Sequence, residues 1–183
     1  LQAFVKHRKD IITKRTKYDL RKAKERGHVV EGLMVAIANI DEIIKIIKKS
    51  KDPKIAAAAL CKKTWKSGPV EAILKKVGSD ACKPKGLGKD LGLKGKNYKL
   101  SPDQAKAILE LRLGRLTGLE QDNLSKEFTE IVEKILGLQK ILDDKETLKE
   151  LMIGELEDVK NTFGDERKTL INDTRRGITN EDL

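Results

Sequence analysis

Residues 101–120 read SPDQAKAILELRLGRLTGLE, and this stretch has the clearest helix start in the sequence together with a dense apolar pattern. Ser101 is a good N-cap, Pro102 suits the first helical position, and Gln104 completes a capping box. Apolar side chains then recur at spacings of three and four: Ala105, Ile108, Leu109, Leu113, Leu116 and Leu119. We predict one amphipathic helix, which must bury this stripe against the same chain or against a second copy.

The composition favours an extended helical protein. The chain has 183 residues, of which 37% are charged and 38% hydrophobic, yet it contains only three Phe, two Tyr and one Trp. Aliphatic side chains must therefore build nearly all of the core, and this charge balance is typical of long helices and coiled coils. No apolar run is long enough to span a bilayer and no signal-like segment opens the sequence, so we expect a cytoplasmic protein without membrane contact.

Side chains that could carry out chemistry are few and widely spaced. Cys61 and Cys82 lack the spacing of a zinc or redox site, so we predict ordinary free thiols. We expect no metal-ligand role for His7, which lies in a basic helical run, or for His28, which lies beside a glycine. Because paired carboxylates and a nucleophile with a neighbouring base are also missing, the sequence predicts no catalytic residue, no metal site and no cofactor of its own.

The net charge of +10 is unevenly distributed. Residues 1–28 hold ten Lys or Arg against three Asp or Glu, residues 29–118 hold nineteen against nine, and residues 119–158 hold five against twelve. A basic segment and an acidic segment invite side-by-side pairing, although two solvated helical faces would also explain them. The surplus of lysine in the middle could face a polyanion.

Residues 1–28 are predicted to form a basic helix that ends near Gly27. Phe4, Ile11 and Tyr18 fall seven residues apart with Val5 and Ile12 beside them, which makes a narrow apolar seam. Such a helix has too little apolar surface to enter a globule along its whole length. The seam therefore predicts one partner helix in a two-stranded arrangement.

Residues 29–118 are predicted to form a small helical globule. Residues 29–40 are apolar on almost every side, and Asp41 has the position of an N-cap. Pro53 opens an alanine-rich segment that we expect to be helical to about Trp65. A short helix should follow at 70–77.

Residues 79–99 are rich in glycine and lysine without forming a phosphate-binding motif. Their glycine spacing fits neither GxGxxG nor the Walker pattern, and no predicted strand precedes them. We predict a solvated loop, with a lysine-rich contact to a polyanion as the alternative.

Residues 119–142 carry the strongest periodicity in the sequence. Apolar residues step by four, three, four, three and four: Leu124, Phe128, Ile131, Ile135, Leu138 and Leu142. We predict the acidic second helix of an antiparallel coiled-coil arm whose first helix is 1–28. Residues 143–183 should contain a returning helix that ends at Gly164, and then a connector. The predicted fold is all-α, a long antiparallel arm with a small helical globule at its tip.

Three segments resemble a known family. They are HRKDIITKRTKYDLRKAKERGHVVEGLMVAIANIDEIIKII at 7–47, YKLSPDQAKAILELRLGRLTGLE at 98–120 and FGDERKT at 163–169. They are similar to parts of the A subunit of bacterial type IIA DNA topoisomerases, and the resemblance extends over essentially the whole chain. The TGLE ending and the long segment 65–99 resemble the gyrase branch of that family, with the topoisomerase IV branch as the alternative.

The resemblance implies a coiled-coil arm and an exit gate at its tip, where two A subunits meet in a two-fold dimer. Such a gate opens to release the transported duplex during ATP-dependent double-strand passage and negative supercoiling. ATP and Mg²⁺ would be handled mainly by the B subunit of the heterotetramer, and DNA would be bound without sequence specificity. The DNA-attacking tyrosine of the family lies upstream of such an arm, so neither Tyr18 nor Tyr98 is expected to be the nucleophile, and the chain should be inactive alone.

Two sets of site residues follow from these expectations. We expect Met34, Ile37 and Leu109 at the dimer interface, although internal core would explain each of them equally well. We expect Lys14, Lys17 and Lys45 to face the DNA cavity, with a solvated surface as the alternative. A scaffold coiled coil without a role in DNA chemistry is the competing class, and composition alone would favour it.

Overall fold

The computed structural model describes residues 1–88, 90–111 and 118–169, and within these it is mainly helical with one small sheet. The elements are α1 Gln2–Ala38, α2 Ile40–Lys49, α3 Pro53–Lys62, β1 Thr64–Lys66, α4 Val70–Val77, β2 Gly92–Lys94, β3 Asn97–Lys99, α5 Pro102–Leu109, α6 Gly118–Asp143 and α7 Lys145–Phe163. The prediction of a mostly helical fold is confirmed, but the all-α prediction is wrong because of the sheet. No described helix combines the length and the apolar character that crossing a bilayer requires.

The sheet has three antiparallel strands in the order β1-β3-β2. Tyr98 at its centre pairs with Trp65 on one side and Leu93 on the other, and Gly95, with φ +62°, forms the turn of the hairpin. Trp65 and Tyr98 are both buried, and the Trp65 indole donates to the Leu60 carbonyl at 2.9 Å. The prediction that α3 reaches Trp65 is therefore wrong.

The prediction of a solvated loop at 79–99 is also wrong over part of its length. Ala81, Cys82 and Tyr98 are buried, and the segment contributes two of the three strands. Strands of three residues are too short to produce a periodic signal, and their stability here comes from packing of Tyr98 against the helices.

Helix α1 continues through Gly27, where the sequence predicted its end. A Cβ at position 27 would lie 3.0 Å from the Cys82 sulfur and 3.1 Å from Cγ2 of Ile131. This glycine therefore allows close approach of the neighbouring segments and does not break the helix. The expected boundary between 28 and 29 falls inside one continuous helix. The helix ends at Ala38, and the side-chain amide of Asn39 donates to the Lys66 carbonyl of β1 at 2.9 Å.

Helices α1 and α6 run antiparallel. The start of α6 lies beside the end of α1, since Gln121 and Ile37 line one cleft. Further along α6, Glu127 accepts from Arg26 at 2.8 Å, and Leu142 near its end lies in a second cleft beside Tyr18. The predicted apolar seam of α6 is confirmed, since its side chains are buried or half-buried: Leu124, Phe128, Ile131, Ile135, Leu138 and Leu142.

The predicted seam of α1 is confirmed at Ile12 and is wrong at its other positions. Phe4, Ile11 and Tyr18 are exposed, whereas the buried side chains of this half of the helix are Ile12, Thr16 and Ala23. The buried face is thus built largely from small residues, which allow the partner helices to approach closely. The Phe4, Ile11 and Tyr18 side chains, which we call the outer stripe, have no partner helix among the described residues.

Helix α7 covers the N-terminal half of α1. Asp144 caps it by accepting from the Glu146 and Thr147 amides at 3.2 and 3.1 Å. Glu155 forms ion pairs with both Arg8 and Arg15 of α1. Because the end of α6 lies beside Tyr18 and Glu155 of α7 lies beside Arg8 and Arg15, α7 lies along the N-terminal half of α1. Its predicted end at Gly164 is confirmed.

The predicted capping box at Ser101 is confirmed. The Ser101 hydroxyl accepts from the backbone N–H of Gln104 at 3.2 Å, and the backbone N–H of Ser101 donates to the side-chain oxygen of Gln104 at 3.0 Å. The prediction of one unbroken helix over 101–120 is wrong, because α5 ends at Leu109 and Glu110 is its C-cap. Leu113, Leu116 and the side chain of Leu119 lie outside the described residues.

Candidate functional site

A buried cluster of polar side chains joins α1 to β3 and to the start of α5. Its members are His28, Glu31, Tyr98, Ser101 and Gln104, which we call the polar cluster. The Gln104 amide nitrogen donates to the His28 carbonyl and to the Tyr98 hydroxyl, both at 2.7 Å. His28 Nε2 lies 2.7 Å from Ser101 Oγ, and Tyr98 shares a side-chain hydrogen bond with Glu31. The cluster thus holds three elements together with bonds that water cannot reach.

Burial governs the ionisation of the polar cluster. It raises the pKa of Glu31 to about 7, while the Tyr98 hydrogen bond and the Lys83 charge oppose that rise. Burial also lowers the pKa of His28 and raises that of Tyr98. A neutral imidazole and a phenol suit hydrogen bonding within a core, and the Tyr98 hydroxyl is not accessible to a substrate.

Only the capping half of this cluster, Ser101 and Gln104, is predictable from the sequence. The missed signal is that His28 and Glu31 are the only polar side chains between positions 28 and 38 and lie one helical turn apart. Gly32 lies on the same face. A Cβ there would come within 2.6 Å of Gln104 Cγ, so this position accommodates only glycine without displacing Gln104.

The described residues offer little reactive chemistry outside this cluster. They contain no group of three or more His, Cys, Asp or Glu side chains arranged to hold a metal ion. Cys61 and Cys82 are free thiols, as predicted, and burial raises the pKa of Cys82 to about 12. Cys82 is therefore a packing residue of the globule.

The three residues expected at a dimer interface lie in two places. Met34 and Ile37 line one shallow cleft of about 190 Å³ between α1 and the start of α6. Met34 is only 3% exposed within the single chain, whereas Ile37 is half-buried. Leu109 is half-buried at the end of α5.

The three lysines expected to face DNA are all exposed, but they do not form one group. Lys14 and Lys17 lie on α1, whereas Lys45 lies on α2. The neighbouring Arg8 and Arg15 are ion-paired with Glu155.

A larger cleft, which no sequence pattern predicts, lies between α1, residues 84 and 85, and the end of α6. It has a volume of about 480 Å³, and we call it the cationic cleft. Its lining consists of Lys17, Tyr18, Leu20, Arg21, Lys24, Pro84, Lys85 and Leu142. None of these lining residues is acidic, and the Arg21 guanidinium lies 5.3 Å from the centre of the Tyr18 ring.

Residues 1–157 match the family of DNA gyrase/topoisomerase IV A subunits, so the chain belongs to this family. The resemblance noted from the sequence is confirmed at this level.

The particular relatives are DNA gyrase A subunits. The chain is 48% identical to that of Pseudomonas aeruginosa and 43% identical to that of Salmonella typhimurium, each over all of this chain and 20% and 21% of the relative. It is 44% identical to the Escherichia coli protein over 70% of this chain and 15% of the relative. The chain therefore spans about a fifth of the length of the first two relatives. These similarities favour the gyrase branch over topoisomerase IV.

Proposed function

We propose that the chain is the arm and exit gate of a DNA gyrase A subunit. In this function, two copies dimerise through the globule and separate to release a transported duplex. The observation that carries the proposal is the antiparallel α1–α6 pair leading into a compact globule, in a chain that belongs to the gyrase/topoisomerase IV A-subunit family. The complete enzyme would combine this region with a B subunit that uses ATP and Mg²⁺, and would introduce negative supercoils. The catalytic tyrosine would come from another part of the same polypeptide, so this chain alone would be inactive.

Aliphatic side chains on the globule support a two-fold contact. Ile47 and Ile55 are 36% and 55% exposed, and Ile37 and Leu109 remain half-buried. A partner side chain entering the cleft above Met34 would cover Ile37. A stable isologous interface should bury on the order of 1,000 Å² or more.

The mass of the protein in solution tests the gate. We expect light scattering at micromolar concentration to give a dimer mass for the wild type. The variants Ile37→Glu and Leu109→Glu should each give a monomer mass, because a carboxylate buried in the interface without a partner opposes association. Ile153→Glu, on the exposed face of α7, is the matched control and should remain a dimer. A wild-type monomer mass would overturn the proposal.

Contacts between the exposed lysines and DNA form the second part of the proposal. Such contacts would be made to phosphates and would weaken with added salt. Charge reversal at Lys14, Lys17 and Lys45 should therefore reduce duplex binding and strand passage by the complete enzyme. If both activities were unchanged in the triple variant, these lysines would be a solvated surface only.

A further inference from the structure

The cationic cleft combines positively charged and apolar surface. Lys17, Lys24 and Lys85 make no ion pair with any residue in the described ranges, and Arg21 is paired only with Glu25. The apolar part of the lining is formed by Leu20, Pro84 and Leu142, next to the Tyr18 ring. The cleft therefore offers both positive charge and apolar surface to a ligand.

These two features favour a peptide over duplex DNA. A phosphate backbone is hydrophilic and gains nothing from an apolar floor, whereas a single buried side chain commonly dominates the binding energy of a peptide. A volume of about 480 Å³ accommodates one aromatic or large aliphatic side chain with its neighbours. Charge complementarity then requires that the neighbours be acidic.

A second copy of this chain does not fit this surface through α1. That helix presents ten Lys or Arg against three Asp or Glu over residues 1–28, so two such faces would repel each other. The outer stripe continues from the Tyr18 wall of the cleft along the same helix, which extends the apolar surface available to a bound segment.

We propose that the cationic cleft binds an acidic peptide segment of another protein, with one aromatic or large aliphatic side chain inserted between Tyr18 and Leu142 and flanking carboxylates paired with Lys17, Lys24 and Lys85. This inference does not depend on the gate. The cleft lies on the helix pair, away from the Ile37 and Leu109 surfaces.

The test uses a fluorescein-labelled synthetic peptide in which one phenylalanine is flanked on both sides by glutamates. We expect it to bind the wild-type chain in a fluorescence anisotropy titration, and the same peptide with serine in place of phenylalanine to bind about tenfold more weakly. Lys17→Glu combined with Lys24→Glu should also weaken binding of the first peptide about tenfold or more.

The matched control is Lys54→Glu combined with Lys62→Glu, two exposed lysines on α3, which should leave binding unchanged. Because all four lysines are at the surface, circular dichroism should show both double variants folded. The proposal is overturned if the phenylalanine peptide does not bind, if the serine peptide binds equally well, or if the control variant weakens binding as much. It is also overturned if an unlabelled duplex displaces the peptide and loses its own affinity on Lys24→Glu combined with Lys85→Glu, two cleft lysines outside the proposed DNA contacts, since the cleft itself would then be a DNA contact.

Discussion

Glu31 brings a carboxyl group into the apolar half of α1, where only 4% of it remains exposed. Tyr98 faces it from β3, Asp80, Cys82 and Lys83 from the segment after α4, and His28 from the preceding turn of α1. Loss of the proton would place a negative charge in this core, so the ionisation of one side chain is linked to the stability of the globule.

Replacing Glu31 by Gln should flatten the dependence of stability on pH. Because the folded pKa of Glu31 is about 7 and its ordinary value is 4.5, the folded state holds the proton more tightly. The wild type should therefore lose stability as pH rises from about 4.5 to about 7, by roughly 3 kcal/mol, and no more above that range. Glu31→Gln should not show this loss.

Urea denaturation of both proteins across this pH range measures the difference. The opposite effect of His28, whose lowered pKa costs stability as pH falls below 6.5, is present in both and cancels in the comparison. If the free energies of unfolding of the wild type and of Glu31→Gln changed in parallel with pH, the raised pKa of Glu31 would be contradicted.

Gly32→Ala should destabilise the protein although alanine favours helices. The new Cβ would displace Gln104 and weaken its bonds to His28 and Tyr98, at a cost of about 1–3 kcal/mol. Gly137→Ala on α6 is the matched control, since nothing lies within 4 Å of its Cβ, and it should gain up to about 1 kcal/mol. Thermal denaturation should move the two midpoints in opposite directions, and a stabilised Gly32→Ala would refute the close contact.

At the scale of elements, α6 was predictable from sequence and the buried face of α1 was not. The α6 seam is made of large aliphatic side chains at heptad spacing, which is the signal that periodicity detects. On α1 the buried face contains Ile12 together with the smaller residues Thr16, Ala23 and Gly27, while the large apolar residues at heptad spacing are exposed. The short strands and the His28–Glu31 half of the polar cluster were missed because each depends on contacts between distant segments.

The neighbouring isoleucines of α1 test which face is buried. Ile12 is fully buried and Ile11 is 39% exposed, so Ile12→Ala should cost about 2–4 kcal/mol and Ile11→Ala less than about 1 kcal/mol. Free energies of unfolding from urea titrations should show this order. The reverse order would restore the seam that the sequence predicted.

At the scale of the whole molecule, the uneven charge is used for pairing between helices. Arg26 pairs with Glu127 of α6, and Arg8 and Arg15 share Glu155 of α7. The expectation that a basic and an acidic helix lie side by side is confirmed by these contacts, while the position of α7 could not be read from charge alone.

Glu155→Gln should destabilise the protein modestly and in a salt-dependent way. The variant removes the charge shared by two arginines at a partly exposed site, so we expect a loss of about 0.5–1 kcal/mol at low salt and less at high salt. Glu157→Gln, also on α7 but exposed and without an ion pair among the described residues, is the control. Equal effects of the two substitutions in urea titrations at both salt concentrations would contradict the shared pair.

The continuity of α1 through Gly27 has a mechanical consequence. At about 1.5 Å per residue, its 37 residues form a rod about 55 Å long, with one end clamped by α7 and the other embedded in the globule. A helix of this kind is stiff along its axis, and no loop interrupts it between the two ends. A torque on the globule would therefore swing α1 as a lever, so that a small angular displacement at one end becomes a large translation at the other.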